Sequence, residues 1–216
     1  MATNSGKRAR RETRDQFVGY DTQPIKSLGK IPKLVPQSYV QQDYLDAIES
    51  KDIIFALGSA GSGKTYVATH YAAEQLYYKH ISKIILTRPA EEAGGEKLGF
   101  LPGELVEGKL MPYLQPYMET LNELLGKTFV EYCLKVGYIE PVPLAFMRGR
   151  SFKDCLILAD EMQSASPDQL KMLLTRIGEN SKLLINGDLE QRDKPAQGLE
   201  DAIGRLSHMD EVDVIT

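Results

Sequence analysis

The sequence predicts an α/β domain in which helices flank a parallel central sheet. Short apolar runs of about five residues recur along the chain, as in strands that are buried on both faces. Stretches in which apolar residues have helical spacing separate these runs. A glycine-rich segment, 58–65, lies between one apolar run and one helical stretch, as in a strand–loop–helix unit. The length of 216 residues fits a single domain of this kind.

The composition is that of an ordinary globular protein, with 42% hydrophobic and 26% charged residues. No apolar run approaches the roughly 18 residues that cross a membrane, and the N-terminus lacks the apolar segment of a secretory signal. We therefore expect a cytoplasmic protein with no membrane insertion. Cys133 and Cys155 lie far apart and the histidines lack metal spacing, so we expect neither a disulfide nor a zinc site.

Residues 1–36 are polar and without periodicity, which predicts a flexible arm ahead of a domain over 37–216. Five basic residues and one glutamate lie in segment 7–14, although the whole chain has a net charge of −4. Such a segment is typical of an arm that contacts nucleic acid. A solvated terminus without function has the same composition and is the commoner case, so both interpretations stay open.

The domain begins with a predicted helix from residue 37, followed by the turn 49–51 and a first strand over 52–57. Segment 58–65 comes next. It opens an amphipathic helix, because apolar residues recur at helical spacing as far as Leu76. The loop is therefore expected to connect the end of a strand to the start of a helix.

Segment 58–65 matches G-x-x-x-x-G-K-[ST] at every fixed position. Its residues are Gly58, Ser59, Ala60, Gly61, Ser62, Gly63, Lys64 and Thr65. The glycines let backbone N–H groups approach phosphate oxygens, and the helix N-terminus adds its partial positive charge. Lys64 has the position that contacts the β- and γ-phosphates of a bound triphosphate, and the Thr65 hydroxyl has the position that binds Mg²⁺. The sequence predicts a phosphate-binding loop, the P-loop.

The middle of the chain is predicted to hold a second strand over 83–87 and a glycine-rich run that ends at Gly103. A long insertion follows. We expect a broken helix over 117–125, another helix over 129–136 and a short strand over 139–145.

An apolar strand over 155–159 is followed directly by Asp160 and Glu161, the pattern of a Walker B strand. Asp160 is expected to hold Mg²⁺, and Glu161 has the residue type and position that polarise an attacking water in ATPases. The ligand of a parallel α/β sheet lies at the carboxyl ends of its strands. We therefore expect both acids to face the P-loop.

The last third of the chain continues the alternation of helices and strands. Ser166 as N-cap and Pro167 at the first helical position begin a helix that is expected to carry Arg176 at its end. A buried strand over 182–186 leads to a polar cluster that contains Gln191, placed to sense the γ-phosphate. A helix near 199–206 and a strand that begins at residue 212 complete the predicted fold.

Several blocks of the sequence resemble the PhoH-like ATPases, in the order usual for that family. Besides the P-loop they are Leu86-Thr87-Arg88-Pro89, Leu98-Gly99-Phe100-Leu101-Pro102-Gly103, Pro143-Leu144-Ala145-Phe146-Met147-Arg148-Gly149-Arg150, Asp160-Glu161-Met162-Gln163, Leu174-Thr175-Arg176-Ile177-Gly178 and Gly187-Asp188-Leu189-Glu190-Gln191. The resemblance extends from about residue 41 to the C-terminus. It implies a single RecA-like P-loop NTPase domain similar to the first domain of superfamily-one helicases, with ATP and Mg²⁺, a homo-oligomeric ring, expected to be a hexamer, and a role in RNA metabolism.

The same resemblance implies that Gln41 reads adenine and that Gln191 senses the γ-phosphate. The sequence departs from the family pattern at Gly94-Gly95, where a single glycine is usual, at Asn186, where threonine is usual, and at Lys194, where an apolar residue is usual. These departures concern loop shape.

An arginine is the missing part of the predicted site. The family usually continues past its last strand into a segment with an arginine that completes the site, whereas this sequence stops at Thr216. Either that segment is absent from this sequence or another arginine takes its place. We expect an arginine from an adjacent subunit to stabilise the transferring phosphoryl group, with Arg176 the first candidate and Arg148 the second.

The leading hypothesis is an ATPase that couples turnover to the binding or remodelling of RNA. A nucleoside or nucleotide kinase is disfavoured because the Asp160–Glu161 pair suits water activation, which a kinase must avoid. A GTPase is disfavoured because no Asn-Lys-x-Asp motif is present. The alternative comes from another functional class. It is an oligomeric scaffold or nucleic-acid-binding module that is controlled by bound nucleotide and has little or no turnover.

Overall fold

The computed structural model describes residues 30–89, 110–191 and 197–216. The basic segment 7–14, the glycine-rich run that ends at Gly103 and Lys194 lie outside the described residues. The compact unit that carries the sheet begins at Ile31, ahead of the predicted boundary at residue 37. It begins there because Ile31 and Leu34 are buried in its core.

Strands and helices alternate through the described residues. The strands are β1 (Ile53–Leu57), β2 (Lys83–Thr87), β3 (Ile139–Pro141), β4 (Cys155–Ala159), β5 (Lys182–Gly187) and β6 (Val212–Ile215). The α-helices are α1 (Tyr39–Ser50), α2 (Lys64–Tyr77), α3 (Gln115–Leu125), α4 (Lys127–Val136), α5 (Pro167–Leu174) and α6 (Gly198–Leu206). Short 3₁₀ helices span Met111–Leu114, Leu144–Met147 and Met162–Ser164. No helix in these ranges has both the length and the apolar character that crossing a membrane requires.

The strands form one sheet in the order β3-β2-β4-β5-β1-β6, and every pairing is parallel. β5 lies between β1, which leads into the P-loop, and β4, which leads to the acidic pair. A strand inserted between these two is the arrangement of a RecA-like P-loop fold, so the predicted fold class is confirmed. Because all strands are parallel, the loops after β1, β4 and β5 meet at one edge of the sheet.

Both faces of the sheet are covered by helices. Alternate residues of a strand point to opposite faces, so Ile84 and Leu86 pack with α1 to α4, whereas Ile85 packs with α5 and α6. A strand that is buried on both faces contains apolar residues at nearly every position. This explains why the apolar runs alone were enough to locate β1, β2, β4 and β5.

Two predicted boundaries were wrong at their C-terminal ends. The strand expected over 139–145 ends at Pro141, and a 3₁₀ helix begins at Leu144. Pro141 and Pro143 have no N–H group to continue a ladder, and β3 is an edge strand. The helix expected to reach Arg176 ends at Leu174, because the chain then pairs with Phe152 in an isolated bridge.

Candidate active site

The P-loop joins β1 to α2 through a left-handed backbone. Gly63 is the N-cap of α2 at φ +87°, a conformation that favours glycine. A Cβ atom at this position would lie 2.6 Å from Nε2 of Gln41. The backbone angle therefore requires glycine at this position, and the end of the Gln41 side chain lies close beside it. The helix N-terminus behind the loop carries the partial positive charge that favours a phosphate.

Lys64 holds its ammonium group inside the curve of the P-loop. The Nζ atom donates to the carbonyl oxygens of Gly58 at 2.6 Å and Ser59 at 2.8 Å, and to Oγ of Ser62 at 3.1 Å. Burial lowers the pKa of Lys64, and three nearby carboxylates, those of Asp188, Asp160 and Glu161, oppose this lowering. The Lys64 ammonium is thus a partly buried cation close to three carboxylates.

Asp160 follows β4 and is placed by its backbone, because its N–H donates to the carbonyl oxygen of Thr87 at 3.0 Å. Burial raises the pKa of Asp160 to about 6, and the adjacent charge of Glu161 adds to the increase. The guanidinium of Arg88 and the hydroxyl of Tyr117 act in the opposite direction. A buried carboxylate of this kind is stabilised by a cation, either a metal or an ammonium group.

Glu161 adopts a left-handed backbone conformation at φ +53°, which is uncommon for a residue with a side chain. Gln163 accounts for the position of its carboxylate. Nε2 of Gln163 donates to Oε2 of Glu161 at 2.5 Å, and Oε1 of Gln163 accepts from the N–H of Asp188 at 3.1 Å. The buried amide of Gln163 therefore ties the acid after β4 to the loop after β5.

The predicted phosphate, metal and water-activating residues converge on one cleft of about 290 Å³. Its lining includes five of the eight P-loop residues, both acids after β4 and the exposed Gln191. Gly58, Ser59 and Ser62 of the P-loop do not line it. The full set of lining residues is Ala60, Gly61, Gly63, Lys64, Thr65, Tyr66, Pro116, Asp160, Glu161, Gln163, Gly187, Asp188 and Gln191. Convergence of β1, β4 and β5 at one sheet edge brings these residues together.

The side chains of this cleft fit a magnesium ion. Mg²⁺ prefers oxygen ligands and usually binds through one or two carboxylates together with substrate phosphates. Asp160 and Thr65 line the cleft with such oxygens. In addition, Oδ2 of Asp188 is buried without a hydrogen-bond partner among the described residues. An unpaired buried carboxylate oxygen is costly unless a cation or water satisfies it.

Gln41 lies against the outside of the P-loop and is not among the residues that line the cleft. Its Nε2 donates to the carbonyl oxygen of Ser62 at 3.1 Å, and its Oε1 accepts from the N–H of Gln37 at 2.8 Å. A carboxamide has two donor hydrogens and two lone pairs, so one position of each kind is left. The role of Gln41 in reading adenine stays a prediction.

The two candidate arginines lie away from the cleft of their own chain. Nη1 of Arg176 donates to the carbonyl oxygen of Arg150 at 3.1 Å. The carbonyl of Arg176 accepts from Phe152, which precedes β4, at 2.9 Å. Arg176 therefore lies toward the amino ends of the strands, at the edge opposite the cleft. Arg148 is exposed in the segment that leads back to β4 and does not line the cleft either.

Several residues that shape this site have no predicted role from the sequence. Gln163 and Arg88 lie within blocks that resemble the family, which was the only signal for either residue. Tyr44 and Tyr117 gave no signal, because a tyrosine in an apolar helical pattern is indistinguishable from ordinary core. Their proximity to Asp160 arises only when α1 and α3 pack on the same face of the sheet.

Comparison with known proteins shows the family to which the chain is similar. The family model of the PhoH-like protein matches residues 33–216. Over 200 residues the chain is 42% identical to Protein PhoH of Escherichia coli (strain K12), an alignment that covers 90% of this chain and 53% of that protein. Over 212 residues it is 41% identical to the PhoH-like protein of Bacillus subtilis (strain 168), covering 97% and 66%. Among solved structures, Pif1 helicase from Candida albicans aligns with a TM-score of 0.41 at 15% identity, over 84% of this chain and 40% of that chain.

The chain spans between about half and two thirds of the length of these two relatives. The matched region includes the P-loop, the acidic pair and the loop after β5, and residues of all three line the cleft. The family resemblance found in the sequence is confirmed, and the fold is that of a P-loop NTPase. The chain belongs to the PhoH-like protein family.

Proposed function

We propose that this domain binds ATP with Mg²⁺, hydrolyses it and couples turnover to the binding or remodelling of RNA in the cytoplasm. The observation that carries the proposal is the single cleft shared by Lys64, Thr65, Asp160, Glu161 and Gln191. Each of these residue types has a distinct task in ATP hydrolysis, and convergence of all of them is required for turnover.

The role proposed for each residue follows from the charges of the cleft. Lys64 contacts the β- and γ-phosphates in place of its present carbonyl partners. Thr65 and Asp160 hold Mg²⁺, which neutralises charge that develops on the phosphate oxygens. Glu161, oriented by Gln163, accepts a hydrogen bond from the attacking water, while Gln191 contacts the γ-phosphate.

We propose that Gln41 contacts the adenine base. Its contact with Ser62 supports a position next to the P-loop, and its free donor and acceptor positions match the N6 and N7 edge of adenine. The same contact also supports a simpler role in which Gln41 only braces the loop. Gln41→Ala separates these roles, since loss of adenine reading raises KM for ATP but leaves KM for other nucleoside triphosphates unchanged.

RNA is the proposed partner on two grounds. The resemblance to the family implies a role in RNA metabolism, and the basic segment 7–14 is available to neutralise phosphates. We also propose a homo-oligomeric ring, a hexamer by family resemblance, in which Arg176 or Arg148 of one subunit reaches the cleft of the next. The position of both arginines outside the cleft of their own chain supports a contribution between subunits.

A nucleotide-gated scaffold with little turnover is the second candidate. The observation that favours it is that no arginine is among the described residues that line the cleft. A single subunit would then bind nucleotide without the positive charge that speeds phosphoryl transfer.

The deciding experiment measures the ATPase rate of the protein alone and with single-stranded RNA, single-stranded DNA and duplexes. RNA-selective stimulation is the expected result. A response that is equal for all nucleic acids would contradict RNA coupling. A rate equal to that of Glu161→Gln under every condition would contradict hydrolysis and leave the scaffold as the function.

A further inference from the structure

Asp188 holds a buried carboxylate oxygen at the cleft. The residue directly follows β5, is 8% exposed and is among the residues that line the cleft. Its Oδ2 atom is buried and accepts no hydrogen bond from the described part of the chain. A buried carboxylate oxygen without a partner costs free energy, so the site around Asp188 has to account for it.

The other polar groups of Asp188 are all used by neighbouring residues. Its N–H donates to Oε1 of Gln163 at 3.1 Å, and its carbonyl oxygen accepts from the N–H of Gln191 at 3.2 Å. Oδ1 accepts from the N–H of Glu190 at 3.0 Å, the contact of an Asx turn. These bonds fix the carboxylate and leave Oδ2 as the atom that can bind a guest in the cleft.

The place of Asp188 in the sheet sets it beside both the P-loop and the acidic pair. The carbonyl oxygen of Gly187 accepts from the N–H of Gly58 at 3.2 Å, so the end of β5 is tied to the first residue of the P-loop. On its other side β5 pairs with β4, which ends just before Asp160. Asp188 therefore follows the strand that lies between the phosphate-binding loop and the acid proposed to hold the metal.

Lys64 does not satisfy Oδ2. An ammonium group has three N–H donors. Those of Lys64 are used by the carbonyl oxygens of Gly58 and Ser59 and by Oγ of Ser62. A bound triphosphate takes over such donors with its own oxygens and leaves none for the carboxylate. A cation that pairs with Oδ2 therefore has to enter the cleft from outside the protein.

The charge of the cleft favours a divalent metal as this cation. Three carboxylates line the cleft, those of Asp160, Glu161 and Asp188, whereas Lys64 is the one cationic side chain among the described residues of the lining. Like charges held close together disfavour one another unless a counter-ion lies near them. Mg²⁺ prefers oxygen ligands and usually binds through one or two carboxylates together with phosphate oxygens and water. Asp160 is the first such carboxylate, and Asp188 is placed to be the second.

We propose that Asp188 is the second carboxylate of the magnesium site, with Oδ2 as the atom that binds the ion or one of its water molecules. This inference deepens the proposed function and rests on it, because it takes Thr65 and Asp160 as the other protein groups at the metal. The turn that holds Oδ1 fixes the carboxylate before the metal binds. Since Gln191 donates to the carbonyl of Asp188, the metal and the predicted γ-phosphate contact share one turn.

The test is Asp188→Asn, with Mn²⁺ as the probe and electron paramagnetic resonance as the readout. The substitution removes the charge but keeps the shape of the side chain and the Oδ1 acceptor for the Glu190 N–H. Mn²⁺ is titrated into the full chain in the presence of a non-hydrolysable ATP analogue. We expect Kd for Mn²⁺ to rise by about 10- to 100-fold, as for the loss of other groups that support a bound metal.

Nucleotide binding without metal should respond in the opposite sense. Asp188→Asn removes a negative charge beside the P-loop, so it reduces repulsion of the phosphates. A fluorescent ATP analogue is therefore expected to bind the variant without divalent metal as tightly as it binds the parent chain, or more tightly. A residue that only supported the fold of the loop would weaken both kinds of binding.

Glu190→Gln is the matched control. It makes the same chemical change two residues further along the same loop, at an exposed side chain that does not line the cleft. Its Kd for Mn²⁺ should equal that of the parent chain. Asp188→Ser is a second variant, because its hydroxyl can still accept from the Glu190 N–H while the carboxylate is absent. It should weaken Mn²⁺ binding as Asp188→Asn does, and it decides the question if Asp188→Asn fails to fold.

The outcomes separate the two proposals. Parent-like Mn²⁺ affinity in folded Asp188→Asn overturns the metal role of Asp188 while the ATPase proposal stands. If Asp188→Asn fails to fold, parent-like Mn²⁺ affinity in Asp188→Ser overturns it. Equal losses of Mn²⁺ affinity and of metal-free nucleotide affinity also overturn it, because they indicate general damage to the cleft. A parent chain that shows no nucleotide-dependent Mn²⁺ site overturns both.

Discussion

At the scale of single residues, one group of the cleft is suited to bind phosphate and another is suited to activate water. The Lys64 ammonium is enclosed by the P-loop and is suited to bind phosphate. Glu161 follows the neighbouring part of the sheet, after β4, and its carboxylate is held by Gln163 rather than by the P-loop. Changes at these two positions should therefore affect different steps of the same reaction.

Lys64→Ala is expected to abolish tight ATP binding, because the β- and γ-phosphates lose their cationic partner. Glu161→Gln is expected to keep binding and to lower turnover by about 10²- to 10⁴-fold, the usual contribution of a general base. Fluorescent nucleotide titration and steady-state phosphate release measure the two effects. Lys79→Ala and Glu123→Gln, both at exposed positions, are the controls. Turnover of Glu161→Gln at the parent rate would show that another group activates the water.

Asp160 makes stability depend on pH in a direction that is unusual for an aspartate. Folding raises its pKa from 3.8 to about 6. Below pH ~4 the carboxyl group is protonated in both the folded and the unfolded chain. Between these values the unfolded chain releases its proton first, so this group lowers the free energy of unfolding as pH rises, and its effect is constant above the folded pKa.

Asp160→Asn is therefore expected to raise the free energy of unfolding at about pH 8 by about 1–3 kcal/mol, since a shift of two pKa units corresponds to this range. The gain should shrink as pH falls toward the unfolded pKa. Urea unfolding without metal or nucleotide, at about pH 8, 6 and 5, measures it. Asp43→Asn is the control at an exposed position of α1. A gain that is constant over these pH values would show that charge burial is not its cause.

At the scale of elements, α6 supports the segment that carries the acidic pair. A Cβ atom at Gly198 would lie 2.3 Å from the carbonyl oxygen of Ala165 and 2.6 Å from the carbonyl carbon of Ser166. Ala165 directly follows the 3₁₀ helix that contains Gln163. Close packing of the first turn of α6 thus fixes the turn that orients Glu161.

Gly198→Ala is expected to lower the free energy of unfolding by about 1–3 kcal/mol, because backbone atoms cannot rotate away from the added methyl group. The ATPase rate should fall as well, since Gln163 is displaced. Gly204→Ala in the same helix has open space around its Cβ position. It should stabilise the protein by about 0.5–1 kcal/mol, the helix preference for alanine over glycine. Equal effects at both positions, measured by urea unfolding, would refute the packing argument.

At the scale of the whole molecule, the cleft and Arg176 lie at opposite edges of the sheet. The cleft occupies the carboxyl ends of β1, β4 and β5, while Arg176 lies beside Phe152 ahead of β4. One chain cannot bring these two edges together without unfolding the sheet. In a ring, the amino edge of one subunit can face the cleft of its neighbour.

Mixing Lys64→Ala subunits with Arg176→Ala subunits is expected to restore part of the ATPase activity that each variant lacks alone. Some mixed sites then contain an intact P-loop from one subunit and an intact arginine from the next. Such an arginine contributes about 10³- to 10⁵-fold to the rate, so activity of isolated subunits should be low. The same mixture with Arg148→Ala tests the second candidate. Full activity in a preparation that light scattering shows to be monomeric would refute the shared site.

The charge distribution leads to a separate expectation for RNA. Deleting residues 1–14 should weaken the binding of single-stranded RNA and reduce the slope of log K against log salt by about 0.7 for each phosphate that the arm neutralises. Replacing the five basic residues of segment 7–14 by glutamine should have the same effect and keep the length of the arm. Unchanged affinity and slope in both variants would identify the arm as a solvated terminus.

Much of the fold follows from local patterns. A strand buried on both faces has to be apolar throughout, and a P-loop needs fixed glycines, so β1, β2, β4, β5 and α2 were predictable within a few residues. Prediction was weakest where a partner decides the boundary. β3 stops at Pro141 because Pro141 and Pro143 cannot continue the ladder, which an edge strand tolerates, and α5 stops at Leu174 because the chain turns to meet Phe152.

The sequence by itself determined the family, the P-loop and the acidic pair, because their chemistry depends on residue types at fixed spacing. Only the tertiary structure decided which distant residues support them. Gln163 reaches Asp188 because β4 and β5 are neighbours, and Tyr44 reaches Asn186 because α1 packs on the sheet. Such contacts depend on strand order and helix packing, which local spacing does not encode.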